Sequence, residues 1–137
     1  MRRNEPISKI MTKNPHTVHH GQKLSEARAL MIEHGVHHVP VVSGKKIVGM
    51  LSSTDLLRVS YEYEQDIAHA NAVLDHTRTI EDVMQPNVMT IEHKKPVRRA
   101  VEIFAENWFH AMPVVDGDKI VGIVTTTDIM KYMLDQY

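Results

Sequence analysis

Two short stretches carry residue types whose spacing invites chemistry: Gly49-Met50-Leu51-Ser52-Ser53-Thr54-Asp55 and Gly122-Ile123-Val124-Thr125-Thr126-Thr127-Asp128. Each reads as a β-rich run entering a helix N-terminus. There the first backbone N–H groups lack intrahelical partners and the helix dipole favours negative charge, so a phosphate fits and the hydroxyls add donors. Asp55 or Asp128 beside them can accept both hydrogens of a vicinal diol such as that of a ribose, and the leading glycine permits close backbone approach. The competing reading is that Ser52, Thr54 and Asp55 only cap a helix. Hydroxyl residues at positions 52 to 54 and again at 125 to 127 favour binding.

Ten histidines raise the question of a metal, with His16, His19, His20, His34, His37 and His38 all in the first half. No two of them sit four apart on a predicted helix, there is no cysteine, and only His20/His93 and His37/His110 recur in the second half, so no metal site is expected. Paired catalytic carboxylates, a Ser-His-Asp set and a Gly-rich phosphate loop are likewise not found. The expectation is a binding module with no catalytic residues and no catalytic cofactor, not an enzyme.

The elements that position these stretches are themselves duplicated. Shifting the sequence by 73 positions aligns Ile7–Arg58 with Ile80–Lys131 without a gap, and 18 of 52 positions are identical. Each copy begins with a short apolar segment (Ile7, Ile10, Met11; Ile80, Val83, Met84) and a brief extended stretch at Thr17-Val18 or Thr90-Ile91. An amphipathic helix follows, its face formed by Leu24, Ala27, Leu30 and Met31, or by Val97, Ala100, Val101, Phe104 and Trp108, with Pro96 placed to open the second. Two β-rich runs come next, joined through Ser43-Gly44-Lys45 or Asp116-Gly117-Asp118 as a tight antiparallel hairpin. Thr54-Asp55 and Thr127-Asp128 then stand where caps of a final helix belong. The predicted order is strand, helix, strand, strand, helix, twice.

The predicted organisation is a repeat over 1–60, a bridge over 61–79 and a second repeat over 80–137. The bridge carries Ile67, Ala68, Ala70, Ala72, Val73 and Leu74 at helical spacing with no Gly or Pro. Its acidic run Glu62, Glu64 and Asp66, beside Tyr61 and Tyr63, reads as a solvated face or a contact surface for a second subunit. Some fifty residues bury too little surface alone, so the copies are expected to pack as one pseudo-twofold α/β (α+β) body.

Composition narrows the partners. The chain has 42% apolar and 24% charged residues, and its 16 basic and 17 acidic side chains nearly cancel, so neither nucleic acid nor an anionic membrane surface is suggested. No signal-like apolar run follows Met1-Arg2-Arg3, no stretch suits a membrane helix, and the absence of cysteine is compatible with a reducing compartment. A cytoplasmic protein stabilised by packing alone is expected.

These motifs resemble those of a tandem pair of CBS domains, over about 104 of the 137 residues. The resemblance rests on Ile10-Met11 and Val83-Met84, the Pro-Val-Val strands at 40–42 and 113–115, the Gly-Lys-Lys-Ile-Val-Gly hairpin at 44–49, and the terminal hydroxyl-x-hydroxyl-Asp. It implies two βαββα repeats, a homodimer, and adenosine ligands (AMP, ADP, ATP or S-adenosylmethionine) held in clefts between repeats. Carried onto this sequence, one cleft would take Thr17, His37, Val39, Ile123, Thr125, Thr127 and Asp128. The other would take Thr90, His110, Met112, Met50, Ser52, Thr54 and Asp55. The aspartates would hold ribose, the hydroxyls ribose or phosphate, and Met50 and Ile123 the base. His37 and His110 match phosphate-contacting positions in nucleotide-sensing kinase subunits of the family, which favours a phosphorylated ligand. The implied role is a regulatory energy sensor signalling to an effector protein; the alternatives are a ligand-free dimerisation module and an S-adenosylmethionine binder. Trp108-Phe109 in place of Gly35-Val36, and Val88 in place of Pro15, predict unequal clefts, with the Asp128 one the better binder. Trp108 would narrow a cleft, stack on a base or cover core.

Overall fold

The structure, a computed structural model, describes residues 5–60, 75–76 and 78–137. The expected bridge helix, including Ile67 to Leu74 and the acidic run at 62–66, lies outside the described residues apart from its last few positions. The elements follow the predicted order twice: β2 (Val18–His19), α1 (Leu24–His34), β3 (His38–Ser43), β4 (Lys46–Ser52) and α2 (Ser53–Ser60), then β6 (Ile91–Glu92), α4 (Val97–Glu106), β7 (Ala111–Asp116), β8 (Lys119–Thr125) and α5 (Thr126–Asp135). Ahead of each copy stands a short helical segment and a two-residue strand: a 3-10 turn (Ile7–Lys9) with β1 (Thr12–Lys13), and α3 (Ile80–Val83) with β5 (Gln85–Pro86).

The chain forms two compact units, residues 16–88 and residues 1–15 with 89–137, called here the Asp55 unit and the Asp128 unit. These are offset from the sequence repeat, because each leading segment packs in the unit that holds the hairpin of the other copy. In the Asp55 unit β2 runs parallel to β3, and β4 pairs antiparallel with both β3 and β5. In the Asp128 unit β6, β7, β8 and β1 repeat that order. Ile80 is accordingly buried with Val18, Leu24, Ala27, Met31, Val39, Val41, Leu51 and Leu56. Ile7 is buried with Ile91, Val97, Met112, Val114 and Val124.

Glycine makes the exchange possible. A Cβ on Gly122 would stand 2.5 Å from Met11 Sδ and 2.9 Å from the Thr12 carbonyl oxygen, and one on Gly49 would collide with Met84 Sδ and lie 3.0 Å from the Gln85 oxygen. The close approach these glycines permit is that of the leading segments. Gly44 and Gly117 turn the hairpins at φ of 63° and 66°, a conformation costly for residues with a Cβ.

The amphipathic helices bury Leu24, Ala27 and Met31 in α1, and Val97, Ala100 and Ile103 in α4. Trp108 does not belong to that face. It lies beyond the end of α4 and is 82% exposed, so its expected role in covering core is overturned. The two helices end differently. Gly35, in the left-handed region at φ 61°, donates its N–H to the Ile32 and Met31 carbonyls. After α4, Asn107 is extended and its side chain donates to the Ile103 carbonyl at 2.8 Å. By contrast, the Pro15/Val88 difference leaves the local turn intact, since Asn14 and Asn87 before them share positive φ values of 49° and 54°.

Candidate functional site

The strand-to-helix junctions are built by reciprocal hydrogen bonds. In the Asp128 unit the Thr125 side chain accepts from the Asp128 N–H at 3.1 Å, and Asp128 Oδ2 accepts from the Thr125 N–H at 2.9 Å. In the Asp55 unit Ser52 and Asp55 make the same pair of bonds, each at 3.1 Å. These are capping boxes in which the aspartate occupies the third helical position and the cap itself is Thr125 or Ser52. The expectation that Thr54-Asp55 and Thr127-Asp128 supply the caps is corrected accordingly: Thr54 and Thr127 are exposed on the first turn.

The histidines at the foot of each hairpin complete the junction. The His37 carbonyl accepts from the Ser53 N–H at 2.9 Å, and the His110 carbonyl accepts from Thr126 at 3.0 Å. His37 Nδ1 also lies 3.5 Å from Ser53 Oγ. Three of the four N-terminal N–H groups of each helix are thereby used internally, and among the described residues those of Thr54 and Thr127 are left to meet an anion. The helix ends thus offer fewer main-chain donors than the sequence suggests. His37 and His110 are exposed.

Of the remaining expected residues, Thr17 and Thr90 are half-buried immediately before β2 and β6. Val39 and Met112 are fully buried in the two cores, main chain included, and are paired with Leu51 and Val124 in the hairpins. Met50 and Ile123 are 6% and 8% exposed, opposite Pro40 and Pro113 in the hairpins. The Asp55 unit holds Thr17, His37, Val39, Met50, Ser52, Thr54 and Asp55; the Asp128 unit holds Thr90, His110, Met112, Ile123, Thr125, Thr127 and Asp128.

The aspartates differ in what surrounds them. Asp55 is 6% exposed, the one buried charged residue among those described. Its Oδ1 lies 3.5 Å from Gln85 Nε2 and 4.0 Å from Arg58 Nη1. Asp128 is half-buried, and among the described residues its Oδ1 has no partner. The sequence explains the difference: Gln85 is paired with Met50, and at the matching register Thr12 is paired with Ile123. Thr12 puts no such amide beside Asp128.

A cleft of about 280 Å³ in the Asp55 unit is lined by Asp55, Arg58, Val59, Arg78, Asp82 and Val83. Arg58 and Arg78 were not among the sequence candidates; the readable signal for Arg58 was a cation one helical turn after Asp55. On the cleft wall, Thr79 and Asp82 form another capping box, at 2.8 and 3.2 Å. The Thr79 main-chain N–H, then its hydroxyl, hold the Asp82 carboxyl below the ordinary carboxylate range, with the nearby charge of Arg78 acting in the same direction.

Comparison with known proteins identifies the architecture. L-aspartate semialdehyde sulfurtransferase of Methanocaldococcus jannaschii is 31% identical over 127 residues, covering 91% of this chain but 22% of that protein. Protein MJ1225 of the same organism is 30% identical over 135 residues, covering 94% of this chain and 47% of that one. The chain therefore spans at most about half the length of these curated relatives. The solved structure of MJ1225 superposes with a TM-score of 0.80 at 27% identity, covering 97% of this chain and 49% of that one. The CBS domain pair of protein MJ0100, in complex with 5′-methylthioadenosine and S-adenosyl-L-methionine, superposes with a TM-score of 0.78 at 28% identity, covering 96% and 98% of the two chains. The family model of the CBS domain matches twice, over residues 7–62 and 80–135, and the chain belongs to the CBS domain family as a tandem pair.

Proposed function

We propose that this chain is a regulatory module that binds an adenosine nucleotide (AMP, ADP or ATP) and signals its presence to a partner protein, without catalysis of its own. The observation that carries the reading is Asp128. Its carboxylate is fixed by the capping box through one oxygen and keeps the other for a ribose diol, beside the hydroxyls of Thr125 and Thr127. Phosphate recognition is assigned to the exposed His37 and His110 and to Arg58 and Arg78 around the Asp55 cleft. The grouping of Thr17, His37 and Val39 with the Asp128 set, and of Thr90, His110 and Met112 with the Asp55 set, is part of the proposal. So is a homodimer, for which the exposed Met130, Met133 and Leu134 of α5 offer apolar surface. Among the described residues, no helix is long and apolar enough to cross a membrane.

A second reading is a thioether or sulfonium adenosine, favoured by the MJ0100 pair and its two bound ligands. Isothermal titration with AMP, ADP, ATP, S-adenosylmethionine and 5′-methylthioadenosine separates them. Nucleotides are expected to bind more tightly, and coupling between His37→Ala and Asp128→Ala in a double-mutant cycle is expected if both touch one ligand. Tighter binding of the sulfur ligands selects the second reading. A stable dimer whose melting temperature responds to none of the five leaves only a dimerisation module.

A further inference from the structure

Away from the capping boxes, the ends of β6 and β7 bring together three side chains that no role above uses. Glu92 Oε1 and Asp116 Oδ1 lie 3.9 and 3.7 Å from His93 Nε2, and the three donor atoms fall within 4.8 Å of one another. The sheet fixes this meeting. Glu92 is paired with Val115, the His93 N–H donates to the Val115 carbonyl at 2.9 Å, and Asp116 is the next residue along β7. The Gly117 N–H then orients Glu92 Oε1 from 3.3 Å.

The spacing argues for an ion. At these separations the imidazole is beyond hydrogen-bond reach of either carboxylate, so the trio is not a closed hydrogen-bonded network. Among the described residues neither carboxylate has a lysine or arginine partner, which leaves two negative charges beside a ring nitrogen. Donors around a four-coordinate divalent ion bound at about 2.0–2.2 Å stand roughly 3.4 Å apart. The two His93–carboxylate distances need close by only a few tenths of an ångström to reach that value, and the exposed Asp116 side chain has room to turn its oxygen toward the other two donors.

We propose that Glu92, His93 and Asp116 form a binding site for a divalent transition-metal ion of the Zn²⁺ type, with water completing the coordination. One imidazole with two carboxylates suits such ions, whereas Mg²⁺ and Ca²⁺ favour ligand sets made of oxygen. The site belongs to one copy only, since the corresponding positions of the first are His19, His20 and Ser43, with no carboxylate. The proposal departs from the expectation, drawn from histidine and cysteine spacing alone, that no metal site exists: Asp116 is distant in sequence from Glu92 and His93 and meets them only through the pairing of β6 with β7.

The test is calorimetric titration of the intact chain with ZnCl₂ in a non-chelating buffer, with MgCl₂ as control. One equivalent of Zn²⁺ per chain is expected, with a raised melting temperature and no comparable response to Mg²⁺. His93→Gln and Asp116→Asn are each expected to weaken binding by about tenfold or more, while His16→Gln and His20→Gln leave it unchanged. In the unmutated chain, which needs no variant to fold, the His93 ring resonances are expected to shift before those of the other histidines. No saturable uptake, uptake unaffected by the His93 and Asp116 substitutions, or earlier shifts at other histidines overturns the proposal.

Discussion

Asp55 and Asp128 are the same residue in the same motif, each returning one oxygen to its helix cap, yet their second oxygens meet different surroundings. Asp55 Oδ1 faces Gln85 and Arg58, while Asp128 Oδ1 is free of partners among the described residues. The capping box is local and survives duplication because four consecutive residues encode it. Availability of the second oxygen is not local, because it depends on a strand contributed by the other copy's leading segment. The comparison teaches that fixing a carboxylate and keeping it free for a ligand are separately encoded.

The largest expected effect breaks this comparison if it fails. Asp128→Ala should remove charge-assisted hydrogen bonds to ribose, each typically about 1.5–3 kcal/mol, and weaken nucleotide binding by about 10- to 100-fold. Asp55→Ala should weaken binding less and stability more, because it takes a buried acceptor from the Ser52 N–H and from Gln85. Gln85→Thr, which copies the Thr12 side of the molecule, should improve binding at Asp55. Calorimetry on the three variants reads all of this, and equal losses for both alanine variants would remove the asymmetry.

A second comparison concerns what the units share. Gly49 and Gly122 each face a methionine sulfur and a carbonyl oxygen at matching positions, so Gly49→Ala and Gly122→Ala should destabilise alike, by about 1–3 kcal/mol of overpacking. Denaturant unfolding of the two variants measures it. A loss confined to one glycine would mean that one leading segment yields where the other does not.

The order of elements, the hairpins and the helix faces were legible because periodicity and turn residues are local signals, as Leu24, Ala27 and Met31 illustrate. Three things were not legible. The leading segments pack away from their own copies, so that Met11 meets Gly122 and Met84 meets Gly49. The helix N-termini are largely satisfied by His37, His110 and the caps, which no spacing rule displays. Trp108 follows the helical period of α4 on paper, but Asn107 leaves the helix first and turns the indole out to solvent.

The smallest effect tests the leading segments themselves. Thr79 and Asp82 cap α3, whereas the matching residues Pro6 and Lys9 of the first copy make no such box, and Lys9 instead lies 3.7 Å from Glu5. The Asp82 carboxyl is held below its ordinary range by the Thr79 N–H and hydroxyl. A carboxyl depressed by folding contributes stability that is present above its unfolded value and disappears as pH falls through its folded value. Asp82 therefore supports α3 at neutral pH and ceases to do so only in acid below the usual carboxylate range. Thr79→Val should move the Asp82 titration, followed by NMR, upward toward the ordinary range. Pro6, at the place of Thr79, has neither a hydroxyl nor an N–H to offer, so the first copy has no counterpart of this capping box. An Asp82 titration that stays where it was in Thr79→Val would show that the Thr79 hydroxyl plays no part in holding the carboxyl at the start of α3.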